Sequence, residues 1–273
     1  MNFPRLRRNF EIIWGITQKD LKIIFRFPKN AVASRLIEPL RLFILLGLVY
    51  QSFFVMTENQ TIGNWSRSNY VPALLLGAIF YTGFNQAYTR FRVLFTLEKY
   101  WRTIQVFLTA PVSKLQFLIG SSLALFIELS IPIVVYFLIL ICAYHVSLLA
   151  LIPVLVVLYL MIFGLLGFSL MQGAFAVSNE NYLFAFDYLF AVWAVLSCFY
   201  YSEGALPSVV RRLVFINPVY HAVELARSAI FHHLSASQML TGTIFVLLFS
   251  ILSPFLGALF FRKIVRETGV RGF

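Results

Sequence analysis

The stretch LEKYWRTIQVFLTAPVSKLQ at 97–116 contains the residues best suited to a specific interaction. On a short helix its large side chains would form an apolar patch with a polar rim, which is typical of a docking surface for a partner protein. Aromatic rings resting among lipid headgroups are the alternative. Pro111 would end the helix. The apolar members are Tyr100, Trp101, Ile104, Phe107 and Leu108, and their polar neighbours are Glu98, Lys99, Arg102 and Gln105.

Glu128 is the acidic residue that lies deepest in a long apolar run. A charge inside a membrane costs several kcal/mol and usually has a function. Two interpretations stay open, namely a contact with a transported substrate and a protonated or hydrogen-bonded carboxyl that faces a neighbouring helix. One such carboxyl does not make a proton pathway, so ion-coupled transport is disfavoured.

Motifs for other chemistry are absent from the sequence. It contains no phosphate-binding G-x-x-x-x-G-K-[ST] loop, no His-Glu-x-x-His and no cysteine pair at metal-ligand spacing. The four histidines all fall on one predicted side of the membrane and suggest no catalytic triad. We therefore expect that the chain is not an enzyme, does not hydrolyse ATP itself and holds no metal or cofactor.

The composition indicates an all-α integral membrane protein. Hydrophobic residues make up 60% of the chain and charged residues 12%. A transmembrane helix needs about 20 mostly apolar residues, and six stretches meet this requirement. The predicted spans are about 36–56, 70–90, 117–141, 149–177, 183–201 and 240–261.

The cations predict the orientation of these spans. Most of the 22 Lys and Arg residues precede the first span, follow the second or follow the last. Since cytoplasmic loops are enriched in Lys and Arg, both termini and the loop at 91–116 are predicted to be cytoplasmic. The net charge of +11 then meets anionic lipid headgroups, and nucleic acid is not expected as a partner.

Two further segments are predicted to be helices that do not cross the membrane. Residues 10–27 alternate apolar and charged side chains at helical spacing, as expected of an amphipathic interface helix that anchors to the membrane or docks a cytoplasmic partner. Residues 205–232 predict two short helices at the outer interface, the second capped by Asn217 and begun by Pro218. Its polar side includes His221, Glu224 and Arg227. Arg211, Arg212 and Arg227 would meet an anionic polymer there, or Arg227 would pair with Glu224.

The order of these features resembles the permease subunit of ABC-2 type exporters. The local matches are LIEPLRLFILLGLVY at the first span, LEKYWRTIQVFLTAPVSKLQ after the second, and NPVYHAVELARSA before the last. The pattern N-P-x-x-H-x-V-E-L-x-R is most similar to the permeases that export capsular polysaccharide, and the I-E-P run also occurs in O-antigen exporters.

The resemblance implies a homodimer in the bacterial inner membrane, with two copies of a separate ABC ATPase that bind ATP and Mg. It implies that residues 98–108 are the coupling helix that fits a cleft in the ATPase, and that 205–232 is a re-entrant segment. The cargo implied is a polysaccharide or lipid-linked glycan. An exporter of a drug or small lipid is the alternative, and a membrane scaffold or enzyme of lipid-linked sugar metabolism is a third.

Overall fold

The computed structural model describes residues 3–56, 61–62, 65–102, 112–178 and 180–268, which form helices joined by short turns. The α-helices in this part of the chain are α1 Phe3–Ile24, α2 Pro28–Met56, α3 Tyr70–Tyr100, α4 Lys114–Tyr144, α5 Leu148–Ser178, α6 Leu183–Leu196, α7 Ser208–Val214, α8 Pro218–Phe231 and α9 Ala236–Thr268. Single 3-10 turns lie at Glu180–Tyr182 and Glu203–Ala205, and a two-residue antiparallel hairpin pairs β1 Thr61–Ile62 with β2 Trp65–Ser66.

Among the residues that the structure describes, three helices have the length and composition of a membrane span, and they are the main parts of α4, α5 and α9. Their apolar stretches are Leu115–Tyr144, Leu148–Ser178 and Ala236–Ile264. Shorter apolar stretches lie at Phe43–Val55 in α2 and at Leu183–Leu196, which is α6. The fold is therefore an all-helical, membrane-embedded protein.

The core lies where α5 packs against α3 and α9, the most extensive contacts between described helices. Glycines allow α5 and α9 to approach closely, since a Cβ at Gly167 would overlap the backbone of Ser253 and Pro254, and one at Gly257 would overlap the carbonyl of Gly167. Gly173 makes room for the ring of Phe95 from α3. Small residues thus set the distance between the long helices, as is common in membrane bundles.

Helix α1 packs against α4 near its start. The Thr17 hydroxyl donates to the carbonyl oxygen of Gly120 at 3.0 Å, and a Cβ at Gly120 would overlap Ile13 and Ile16. Phe10 and Trp14 stay exposed on the same helix. Ile13 and Ile16 therefore face α4, whereas Phe10 and Trp14 face outward.

The two ends of the bundle differ in what they hold. One end, here called the α1 end, contains α1, the last turns of α3 and the start of α4. The other, the hairpin end, contains β1 and β2 together with α7, α8 and the start of α9. A hydrogen bond from the Tyr50 hydroxyl to the carbonyl oxygen of Tyr200, 2.9 Å long, ties α2 to this end.

The helix bounds differ from the sequence expectations at four main points. The helix with the predicted second span continues to Tyr100, ten residues past the expected end, so Glu98 and Tyr100 lie on its last turn rather than at the start of a separate helix. The first span begins inside a helix that starts at Pro28, and the predicted interface helix ends at Ile24 rather than at residue 27. The segment at 183–201 is helical only to Leu196.

Candidate functional site

The end of α3 exposes two aromatic rings. Tyr100 is 83% exposed and Trp101 55% exposed, whereas Glu98 on the same turn is buried. The Lys19 ammonium from α1 donates to the Glu98 carboxylate at 2.8 Å. Arg102, two residues past the end of α3, adopts a left-handed backbone conformation with φ 59°, which is incompatible with continuation of a right-handed helix. The other predicted coupling residues, Ile104, Gln105, Phe107 and Leu108, lie outside the described residues.

Buried charges from three helices meet behind this surface. The Arg90 guanidinium of α3 donates to Asp20 of α1 and to Glu128 of α4, each at 3.3 Å. The Ser121 hydroxyl donates to Asp20 at 2.7 Å. A cavity of about 230 Å³ opens beside Asp20, Arg90 and Glu128. The structure thus places Glu128 in an ion pair between α3 and α4.

A second buried ion pair lies at the hairpin end. The Arg227 side chain, 1% exposed, donates to Glu224 at 2.6 Å and to the carbonyl oxygens of Cys198 and Phe199 at 3.0 and 2.8 Å. Its guanidinium stacks over the ring of Trp65, 4.9 Å from the centroid. Arg227 therefore meets protein groups rather than a polymer in solution.

Glu224 is held by donors on both of its oxygens. Oε1 accepts from Arg227, and Oε2 lies 3.0 Å from the His233 Nε2. Burial raises the pKa of this carboxyl, but the Arg227 charge and these hydrogen bonds more than offset it, so the pKa lies below its usual value. Glu224 is thus ionised at neutral pH.

Asn217 and Pro218 begin α8. The Asn217 side-chain oxygen accepts from the amide of Val219 at 2.9 Å, as an N-cap does, and from the Trp193 indole at 2.8 Å. Its amide nitrogen donates to the Ser197 hydroxyl at 2.9 Å. The cap therefore also fixes α8 against the end of α6.

His221 and the remaining outer arginines have separate surroundings. The His221 ring stacks on Phe245 of α9 with centroids 4.7 Å apart. Burial lowers the pKa of His221, so the ring is neutral at neutral pH. Arg211 donates to the carbonyl oxygens of Glu203, Gly204 and Leu206, whereas Arg212 is exposed. Of the three arginines predicted to meet an anionic polymer, Arg211 and Arg227 thus form hydrogen bonds within the protein instead.

Sequence reasoning missed the partners that bring these residues together. Lys19 and Asp20 lie on α1, Arg90 and Glu98 on α3, and Glu128 on α4, so these charges meet only when the three helices pack together. Trp65 likewise reaches the Arg227 pair from a distant segment, and His233 reaches it from the turn directly after α8. The available signal was the position of Asp20 within an otherwise apolar flank of the amphipathic helix.

Long apolar helices, an amphipathic helix at one end and buried ion pairs between helices are those of a multi-pass membrane protein. Residues 11–231 match the family model of the ABC-2 type transporter. Because the match covers most of the chain, this protein belongs to the ABC-2 type transporter family. A search among curated proteins finds no significant match. The chain is the membrane component of an ABC exporter, a transport subunit whose ATPase is a separate partner.

Proposed function

We propose that this chain is one half of a homodimeric exporter that moves a polysaccharide or a lipid-linked glycan across the bacterial inner membrane. Two copies of a separate ATPase bind ATP and Mg below it and power the transport. Each chain crosses the membrane six times, with both termini in the cytoplasm, and residues 205–232 re-enter the membrane from outside.

The exposed rings at the end of α3 are the observation that carries the coupling part of this proposal. Tyr100 and Trp101 present apolar surface directly after a turn whose Glu98 is fixed by Lys19. Exposed aromatic residues beside anchored polar ones are typical of the energetic centre of a protein interface. Since Lys19 belongs to α1 and Arg90 links α3 to both α1 and α4, a force on this surface would reach three helices.

The cargo is supported by local sequence. NPVYHAVELARSA resembles the glycan-exporting branch of the family, and 17% of the chain is aromatic. Aromatic faces suit the apolar faces of sugar rings and allow them to slide without tight binding.

Removal of the two rings tests the coupling role. In Tyr100→Ala/Trp101→Ala, we expect co-purification of the ATPase with the permease to fall at least tenfold, because interface aromatics of this kind contribute about 2 kcal/mol or more each. Tyr182→Ala is the matched control, since Tyr182 is 55% exposed outside the predicted coupling segment. Unchanged ATPase recovery with the double variant would rule out docking through these rings.

The cargo is tested on the purified complex of permease and ATPase in lipid nanodiscs. We expect lipid-linked glycan from the producing cell to increase ATP turnover, whereas hydrophobic drugs do not. Stimulation by drugs alone would favour a drug or small-lipid exporter instead.

A further inference from the structure

A second cavity, of about 310 Å³, opens at the hairpin end between α8 and the first turns of α9. Its volume lies at the lower end of the range for small-molecule sites, which is about 300–1,000 Å³. This cavity shares no lining residue with the cavity beside Asp20, Arg90 and Glu128, and the exposed rings of Tyr100 and Trp101 do not line it. This size suits one small ring rather than a large ligand.

One wall of this cavity is aromatic. Phe215, Tyr220 and His221 line it, with centroids 5.7 Å apart between the first two rings and 5.4 Å between the second and third. The stack of His221 on Phe245 fixes the orientation of the imidazole. Fixed rings offer an apolar face for another ring with little loss of side-chain entropy on binding.

The same lining supplies hydrogen-bonding groups. The His221 Nε2 lies 2.9 Å from the carbonyl oxygen of Phe215, and a carbonyl only accepts, so Nε2 carries the proton and Nδ1 of the neutral ring is an acceptor. Glu224 lines the same cavity, and each of its oxygens has lone pairs beyond the bond to Arg227 or His233. The Gln238 oxygen accepts from Ser235, which leaves its amide nitrogen to donate.

The charges of the lining exclude one class of ligand. Glu203 and Glu224 both line the cavity, and none of the lining residues within the described part of the chain is Lys or Arg. Arg227 lies behind Glu224 and is covered by Trp65. An anionic ligand would therefore be repelled, whereas an uncharged molecule rich in hydroxyls finds both acceptors and donors.

We propose that this cavity binds an uncharged hexopyranose ring, with one face of the sugar on the aromatic wall and its hydroxyls bonded to Glu224, His221 and Gln238. The inference rests on the proposed glycan cargo and narrows it to a glycan with neutral sugar units at the bound position. The ring belongs either to the exported glycan or to the sugar headgroup of a membrane glycolipid, since both present the same chemistry.

The test measures sugar binding by saturation-transfer NMR on the assembled permease and ATPase in phospholipid nanodiscs. The probes are maltotriose and triacetylchitotriose, which are neutral, and trigalacturonate, which is anionic. We expect at least one neutral probe to bind and trigalacturonate to bind at least tenfold more weakly. Failure of both neutral probes, or equal binding of trigalacturonate, would overturn the proposal.

Variants place the binding in this cavity. Thr241 lines it and is exposed, and Thr243 on the same helix is exposed but does not line it; each hydroxyl bonds to the carbonyl four residues earlier. Thr241→Phe should fill the cavity and weaken neutral-probe binding at least tenfold, while Thr243→Phe leaves it unchanged. Equal binding by the two variants would overturn the site.

A third variant examines the imidazole. His221→Phe keeps a ring against Phe245 but removes the Nδ1 acceptor, and the loss of about one hydrogen bond should weaken binding roughly fivefold. Unfolding midpoints equal to that of the unmodified protein show that the fold is retained. Undiminished affinity in a folded His221→Phe protein would remove this residue's role in binding.

The source of the sugar follows from competition. If the site takes a lipid headgroup, monoglucosyl diacylglycerol in the nanodisc membrane should displace maltotriose. If the site takes the exported glycan, the soluble glycan should displace maltotriose instead. Either outcome supports a hexopyranose site.

Failure of this inference is distinct from failure of the proposed function. Export of glycan by a complex that binds no sugar here would overturn the site alone, whereas export of only drugs would overturn the function.

Discussion

At the scale of single residues, Arg227 is the best example of a charge used inside the protein. It brings together α8, the segment after α6 and the hairpin through Glu224, two carbonyl oxygens and Trp65. A buried charge is tolerated only when it is paired and hydrogen-bonded. The cluster is therefore expected to be sensitive to the loss of either partner.

Arg227→Met should lower the free energy of unfolding by about 3–5 kcal/mol, because it leaves the Glu224 carboxylate buried beside a neutral side chain. Glu224→Gln combined with Arg227→Met should recover part of this loss by removing the unpaired charge. The midpoint of thermal unfolding in detergent measures both effects.

Arg212→Met is the control for Arg227→Met. Arg212 is exposed on the neighbouring helix, so its replacement should change the free energy of unfolding by no more than about 0.5 kcal/mol. Equal unfolding midpoints for the two variants would contradict a structural role for the Arg227 pair.

The sequence predicted part of this residue-level arrangement. The spacing of Glu224 and Arg227 indicated a pair on one helix face, and the structure has it. Trp65 could not be predicted as a partner, because no local pattern links the hairpin to α8. Contacts between segments that are distant in sequence arise from tertiary packing. The spacing of apolar residues along one sequence does not reveal which segments will pack together.

At the scale of elements, the crossing of α5 and α9 depends on two glycines that face each other. A methyl group at Gly167 would overlap the backbone of Pro254 on α9. Backbone atoms cannot rotate away as a flexible side chain can, so the helices themselves would have to separate. The helices α5 and α9 can thus lie this close at their crossing only because Gly167 and Gly257 have no side chains.

Gly167→Ala should therefore destabilise the protein by about 1–3 kcal/mol, the usual effect of overpacking. Gly47→Ala on α2 is the matched control, since a Cβ there meets nothing within 4 Å, and it should stabilise the helix by roughly 0.5–1 kcal/mol. Unfolding midpoints and the fraction of monodisperse protein in size-exclusion chromatography report the difference. A Gly167→Ala protein as stable as the parent would contradict the close crossing.

Element bounds were predictable where local chemistry determines them. Ser113 with Gln116 forms the capping box that begins α4, and Asn217 with Pro218 begins α8. The continuation of α3 past residue 90 was not predictable. Arg90 and Arg92 signal the end of an apolar span, but the structure keeps them in the helix by pairing them with Asp20, Glu128 and Asp187.

At the scale of the whole molecule, helix length decides which helices can cross a membrane. The lengths of α4, α5 and α9 suit a crossing, whereas α6 has 14 residues and rises about 21 Å. The apolar composition around 183–201 predicted a full span, and the turns after Leu196 shorten its helical part. The composition of this segment shows that it is apolar, but it does not show that the helix ends at Leu196.

Cysteine labelling decides the orientation of the two ends. In a Cys142→Ser background, Val112→Cys should react with a membrane-impermeant maleimide only from the cytoplasm, and Ser208→Cys only from outside. Both positions are exposed, and the remaining native Cys198 is buried. Labelling of the two positions from the same side would contradict the six-span topology.

The packing of α1 against α4 has a consequence for the order of events during biosynthesis. Thr17 bonds to Gly120, which leaves the ribosome 103 residues later. At 5–20 residues per second, the N-terminal helix waits roughly 5–20 seconds before its docking partner has been made. The outward rings of Phe10 and Trp14 can rest in lipid during this interval, so the first segment translated reaches its final position only after the start of α4 has been made.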